Sequence, residues 1–308
     1  MTNSELLNML QVPKGKIDVV LDTDTFNEID DQYAVAYMLR SDDKLNTKAI
    51  YAAPFFNSHS TSPEDGMERS YNEILKIVSL CGRNDLEPNI FKGSRTYLPD
   101  ETTPVVSPAA EDLAKRAMEY SKEKPLYVVA IGAITNVASA LLLNPEIKER
   151  IVIVWLGGHA FHFNRPVNEF NMTQDIAAAR VIFGCGAPVV QLPCGGVVSA
   201  FTVSKPELEY WLVNKNPLAD YLARNTIREV EDRPNYTERV WTRVIWDVTA
   251  VAWLLNDGDR FMSSSFEHAP IPEYDKEYAH SSTRHFMRYV YYIKRDALMG
   301  DLFAKLLK

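Results

Sequence analysis

Five short apolar runs, Ile17 to Leu21, Ala49 to Ala53, Leu126 to Ile131, Ile151 to Leu156 and Val189 to Leu192, punctuate the sequence, and helical patterns separate most of them. Runs of this kind are too short for buried helices, and they do not alternate with polar residues as strands with one wet face do. They read as strands buried on both sides. That predicts an α/β chain: a largely parallel central sheet with helices on both faces, here spanning residues 1–308 as one domain. In such sheets ligands bind outside the carboxyl ends of the strands. The first helix is expected from Asp30 through Leu39, with Ala34, Val35, Tyr37, Met38 and Leu39 as its apolar face behind two leading carboxylates. Ser62 with Pro63, and Ser107 with Pro108, each place a capping hydroxyl before a proline at a helix start.

Composition narrows the partners. With 308 residues and 46% hydrophobic content the chain can bury a large core, and a formal charge of -8 argues against phosphate backbones or anionic lipid as ligands. Neither a basic leader nor a stretch of transmembrane length is evident, so a cytoplasmic protein without nucleic acid or membrane partners is expected. Cys81, Cys185 and Cys194 lack paired metal-ligand spacing and read as reduced, packed thiols. The polar, aromatic-studded stretch from Arg228 to Arg243 fits either a mobile flap or an ordered loop.

The chemistry concentrates in VVLDTDTFNEIDDQYAVAYML, where Asp22, Asp24, Glu28, Asp30 and Asp31 follow a strand and lead into a helix. Five acids so close repel one another, and a charge run usually marks a solvated face. This run instead lies at the carboxyl end of an apolar strand, where ligands bind. A hard cation would relieve the repulsion, and oxygen ligands without nearby His or Cys suit calcium or magnesium better than zinc.

This segment resembles the amino-terminal signature of the inosine-uridine nucleoside hydrolase family: Asp-x-Asp, a short turn, then Asp-Asp opening a helix. The family's usual turn is Pro-Gly plus one residue, whereas Thr25 to Ile29 is two residues longer. Further similarity lies in IYAAPFFNS, in LYVVAIGAITNVASALLLNPEIKERIVIVWLGG, in NEFNMTQDIAAARVIF and in VIWDVTAVAWLL. The resemblance implies a calcium ion held by Asp24, Asp31, Asp247 and the main-chain carbonyl of Ile131, where the family usually has threonine. It implies Asp24 as the base that takes a proton from the attacking water, with Asp22 behind it. Ribose hydroxyls would be held by Asp30, Asn57, Glu169 and Asn171, and Asn164 lies one step from a further family asparagine whose place Phe163 takes.

The resemblance further implies hydrolysis of the N-glycosidic bond of a ribonucleoside, and a homodimer or homotetramer. Where many members have a histidine before the last metal-binding aspartate, this chain has Trp246, which resembles the purine-specific branch; a packing role is the alternative. No substitute acid is evident: His159, His162, His280 and His285 qualify by position only, and Tyr236, Trp241 and Arg243 are candidates to close over the base. A haloacid dehalogenase-like magnesium phosphatase and a non-catalytic nucleoside or sugar binder are the competing readings.

Overall fold

The computed structural model describes residues 1–234, 236–237 and 239–308. Six parallel strands form the core of its main sheet: β1 (Ile17–Thr23), β2 (Leu45–Ala52), β3 (Ile90–Lys92), β4 (Leu126–Ala130), β5 (Ile151–Leu156) and β6 (Val189–Leu192). Their order across the sheet is β3-β2-β1-β4-β5-β6. Strand Phe286–Ile293 then adds parallel to β6, and Met262–His268 closes that edge antiparallel. The chain builds outward from β1 to β3 and returns to the other side of β1 with β4. This reversal opens a crevice at the carboxyl ends of β1 and β4, where ligand sites form in such sheets.

Both faces are covered, and the strands show why. Along β1, Val19 and Leu21 enter one apolar cluster while Val20 enters the other; along β5, Val152 and Val154 alternate in the same way with Ile151, Ile153 and Trp155. Burial on both sides explains the continuous apolar runs. The helix Asp30–Leu39 begins and ends where the sequence predicts, but all ten of its residues are buried, not one face only. Helices Pro63–Leu80, Val248–Leu254 and Arg295–Leu306 pack around it and cover its outer side. The serine caps form as expected: Ser62 Oγ accepts the Asp65 N–H at 3.1 Å, and Ser107 Oγ accepts that of Ala110 at 3.2 Å.

The three cysteines are free thiols, and among the described residues no helix is long and apolar enough to cross a membrane. The stretch from Arg228 to Arg243 starts in a helix and ends in a strand. Helix Pro217–Glu231 leads into it, and strand Thr242–Val244 leaves it paired antiparallel with Thr202–Ser204.

Candidate active site

The sheet delivers the acids to one place. β1 ends at Thr23, so Asp24 is the first residue beyond the strand, and the turn that follows folds back until Asp30 and Asp31 open the next helix. From the far end of the chain, Asp247 precedes helix Val248–Leu254, which packs against the same helix. Carboxylate oxygens of Asp30, Asp31 and Asp247 lie within 4.8 Å of one another. Asp24 is wholly buried, and neither of its oxygens finds a hydrogen-bond partner among the described residues. Asp31 accepts from the Thr23 hydroxyl. Asp22 accepts from Asn136 Nδ2 at 2.7 Å through one oxygen, and its other oxygen is unpartnered.

Such a cluster resists ionisation. Burial, then repulsion from Asp31 and Asp30, pushes the Asp24 carboxyl well above the usual range. Burial also raises Asp30, with Glu28 and Asp31 adding to the effect, and Asp247, with Asp30, Asp31 and Asp24 adding. Asp31 is pushed up to about 7 by burial, against the opposing bond from Thr23. Arg243 offsets part of the charge on Asp30, but its Nη2 donates to Glu28 at 2.6 Å and its Nε lies 3.2 Å from Glu229. Unpartnered, oxygen-only, mutually repelling donors are what a hard divalent cation satisfies, so the residues fit a metal. Ile131 borders the same space, and among the described residues its carbonyl accepts one side-chain bond, from Asn171 Nδ2 at 3.2 Å, against the two lone pairs a carbonyl has.

A cavity of about 190 Å³ opens over these groups. Asp24, Asp30, Asp31, Asp247 and Ile131 line it, with Asn27, Glu28, His159, Glu169, Asn171, Cys194 and Trp246 beside them. Glu169 caps the short helix Phe170–Gln174: one oxygen accepts the Asn171 N–H at 2.9 Å, and the other accepts those of Gly158 and Met172 at 2.8 and 3.0 Å. Asn171 spends its amide hydrogens on the carbonyls of Ile131 and Leu156. Trp246 is half-buried, touching both the cavity and the core.

Residues 19–289 match the model of the inosine-uridine preferring nucleoside hydrolases. The chain belongs to that family. A pyrimidine-specific ribonucleoside hydrolase, RihA, from Citrobacter koseri is 25% identical over 247 residues, covering 73% of this chain and 76% of the relative. A probable uridine nucleosidase 2 of Arabidopsis thaliana is 29% identical over 135 residues, 43% of this chain and 41% of its own length. Among solved structures, a purine-preferring ribonucleoside hydrolase from Gardnerella vaginalis superposes with a TM-score of 0.75 at 20% identity, covering 94% of this chain and 98% of that one. The chain is thus a nucleoside hydrolase, and the phosphatase reading falls away.

Within this nucleoside hydrolase, two of the expected sugar contacts stand apart from the cavity. Asn57 is absent from its lining; its Nδ2 donates to Asn27 Oδ1 at 2.5 Å and its Oδ1 accepts the His59 N–H at 2.8 Å. Asn164 is exposed on a turn and is likewise absent. Tyr236, Trp241 and Arg243 line a neighbouring cavity of about 320 Å³, where Trp241 Nε1 donates to Glu231 at 3.2 Å. Of the histidines considered, His159 reaches the site; its Nδ1 accepts the Gly195 N–H at 3.0 Å, and burial lowers its pKa. His162 and His280 are exposed, and His285 lies elsewhere with its pKa lowered to about 4 by burial. Glu28 joins the lining from the acid run, while Asn27 and Cys194 are lining residues that sequence reasoning misses. The extra length of the turn is the signal for Asn27, and the carboxyl end of β6 for Cys194.

Proposed function

We propose that this nucleoside hydrolase cleaves the N-glycosidic bond of purine ribonucleosides, with calcium at the acid cluster and Asp24 as general base. The observation that carries the reading is Asp24 itself: a buried carboxylate lining the cavity, neither of whose oxygens has a hydrogen-bond partner among the described residues. Asp24, Asp31, Asp247 and the Ile131 carbonyl would hold the cation, which when bound supplies a Lewis acid that lowers the pKa of the attacking water. Asp24 takes that water's proton on a carboxylate oxygen as the water oxygen bonds to the anomeric carbon and the glycosidic C–N bond breaks, its electron pair leaving with the ring-protonated base. Asp30 accepts from ribose hydroxyls beside it, while Glu169 and Asn171, fixed by their main-chain bonds, offer their remaining acceptor capacity to the sugar. A deoxyribose would leave such groups unpaired, which favours ribose.

Base preference rests on Trp246. The named relatives divide, one pyrimidine-specific and one purine-preferring. An indole on the cavity wall offers a large face to stack a purine, and stacking eases departure of a base that leaves after ring protonation. The test is release of free base from a panel of purine and pyrimidine nucleosides, before and after exhaustive chelation and calcium return. Calcium-dependent turnover with inosine, adenosine or guanosine ahead of uridine and cytidine is expected; equal turnover after chelation, or a preference for uridine, overturns the corresponding part.

A further inference from the structure

We infer that Asn27 is a specificity-determining residue that donates its side-chain amide to a secondary hydroxyl of the ribose, with Asn57 behind it as a positioning residue. The inference rests on the nucleoside reading above. Asn27 lies at the middle of the turn that is two residues longer than its family's usual one, is 94% buried (6% exposed), and lines the cavity together with Asp24 and Asp30.

A relay of hydrogen bonds fixes which way its amide faces. The His59 main-chain N–H can only donate, so the Asn57 atom that receives it at 2.8 Å is Oδ1. The other branch of Asn57 is therefore Nδ2, a donor, and the Asn27 atom it meets at 2.5 Å must be Oδ1. Nδ2 of Asn27 is left for the cavity, and no protein acceptor takes its hydrogens among the described residues. The main chain is pinned as well: the Asn27 N–H donates to the Asp24 carbonyl at 2.7 Å, and its carbonyl meets His59 Nδ1 at 2.7 Å.

The chemistry of the wall explains what this donor is for. A ribose hydroxyl both donates and accepts, yet the acids that line the cavity with Asp30 (Asp24, Glu28, Asp31 and Asp247) only accept when ionised, and in the turn from Asp24 to Asp30 the side-chain amide on that lining is Asn27. Asn171, the other amide in the cavity, has its hydrogens committed to main-chain carbonyls. A hydroxyl that donates to Asp30 and accepts from Asn27 has both needs met within one turn of chain.

The test compares wild type, Asn27→Ala and Asn57→Ala on inosine, 2′-deoxyinosine and 3′-deoxyinosine, with thermal unfolding and calcium binding measured on each protein. Asn27→Ala should lower kcat/KM for inosine by about 10- to 100-fold, and change it by less than about 3-fold for the one deoxynucleoside that lacks the contacted hydroxyl. Asn57→Ala should show the same substrate pattern more weakly, and it keeps the inference testable if Asn27→Ala does not fold. Equal loss on all three substrates, or no loss on inosine, overturns the assignment. A wild type that hydrolyses no nucleoside at all overturns the underlying reading instead.

Discussion

The two ends of β1 treat their aspartates in opposite ways. At its start, Asp18 accepts from Asn46 Nδ2 at 2.5 Å and from the Tyr120 hydroxyl at 2.9 Å. At its other end, Asp22 has one partnered oxygen and Asp24 has none. The outer helices follow the first pattern, with Asp112 and Asp220 each paired to an arginine four residues on, at 2.8 Å. Composition cannot explain the contrast, since one strand carries both kinds. Position does: where the sheet meets solvent it satisfies its acids, and where the strand order reverses it buries them unpaired. An unpaired buried carboxylate is a cost to folding that protonation or a bound cation relieves.

The largest effect should come from breaking the unpaired end. Asp24→Asn is expected to reduce kcat at least ~100-fold with a much smaller change in nucleoside binding, as general-base losses go. Because Asp24 is also placed as a metal ligand, calcium occupancy is measured in the same variant. Asp247→Ala should abolish calcium binding and activity together while the protein stays folded. Asp18→Asn, at the satisfied end, should stay within about 2-fold of wild type, as surface substitutions usually do. A loss with Asp18→Asn equal to that with Asp24→Asn would erase the distinction between the ends.

Stability should run the other way. Burial pushes the Asp31 carboxyl up to about 7 from an ordinary value of 3.8 when no cation offsets it. Between those two values the folded protein holds a proton that the unfolded chain has released. Its contribution is therefore full below pH 3.8 and disappears as pH rises through about 7. In chelator, Asp31→Asn should be more stable than wild type at pH 7 by on the order of a few kcal/mol, read as a rise in Tm. Saturating calcium should reverse the ranking. If the variant is less stable in chelator, the acid cluster is not a metal-free liability and the contrast between the two strand ends loses its energetic meaning.

How much of this was legible beforehand follows the same division. Strands buried on both faces announce themselves as apolar runs, and the helix Asp30–Leu39 was readable to its ends. Strand β3 is three residues long, and the edge strand Met262–His268 is half-exposed and serine-rich, so neither produces such a run. Acids after a strand were readable as a site because their setting is local. The route from Asn57 through Asn27 was not, since it depends on two loops meeting 30 residues apart in sequence. The Arg243–Glu28 pair spans 215 residues and carries no local signature at all. The identity of the ligand-facing residues thus depended on non-local packing even where the residues themselves were in view.

A smaller effect tests the cavity wall above the acids. Trp246→Ala should remove a stacking contact of roughly 1–3 kcal/mol, a magnitude taken from base and aromatic pairs in other proteins. The loss should fall on purine nucleosides and spare p-nitrophenyl riboside, whose leaving group needs no protonation. Equal damage to purine, pyrimidine and nitrophenyl substrates would return Trp246 to a packing role.

The smallest effect belongs to the amino ends of the strands. His285 precedes strand Phe286–Ile293, which runs parallel to β6, so it lies at the amino ends of the strands, away from the cavity. Burial, with some help from Arg284, lowers its pKa from 6.5 to about 4. Between those values the unfolded chain binds a proton that the folded protein refuses. Stability is therefore full above pH 6.5 and falls as pH drops towards about 4. The ring is only partly buried, so the expected loss is on the order of 1–2 kcal/mol. In calcium-saturated protein, His285→Phe should flatten this acid-side decline while leaving kcat/KM for inosine unchanged. Denaturant titrations across that pH range decide it: an undiminished decline in the variant removes His285 as its source. A fall in kcat/KM would mean that the amino end is coupled to the chemistry after all, and the two ends of the sheet could no longer be treated as separate.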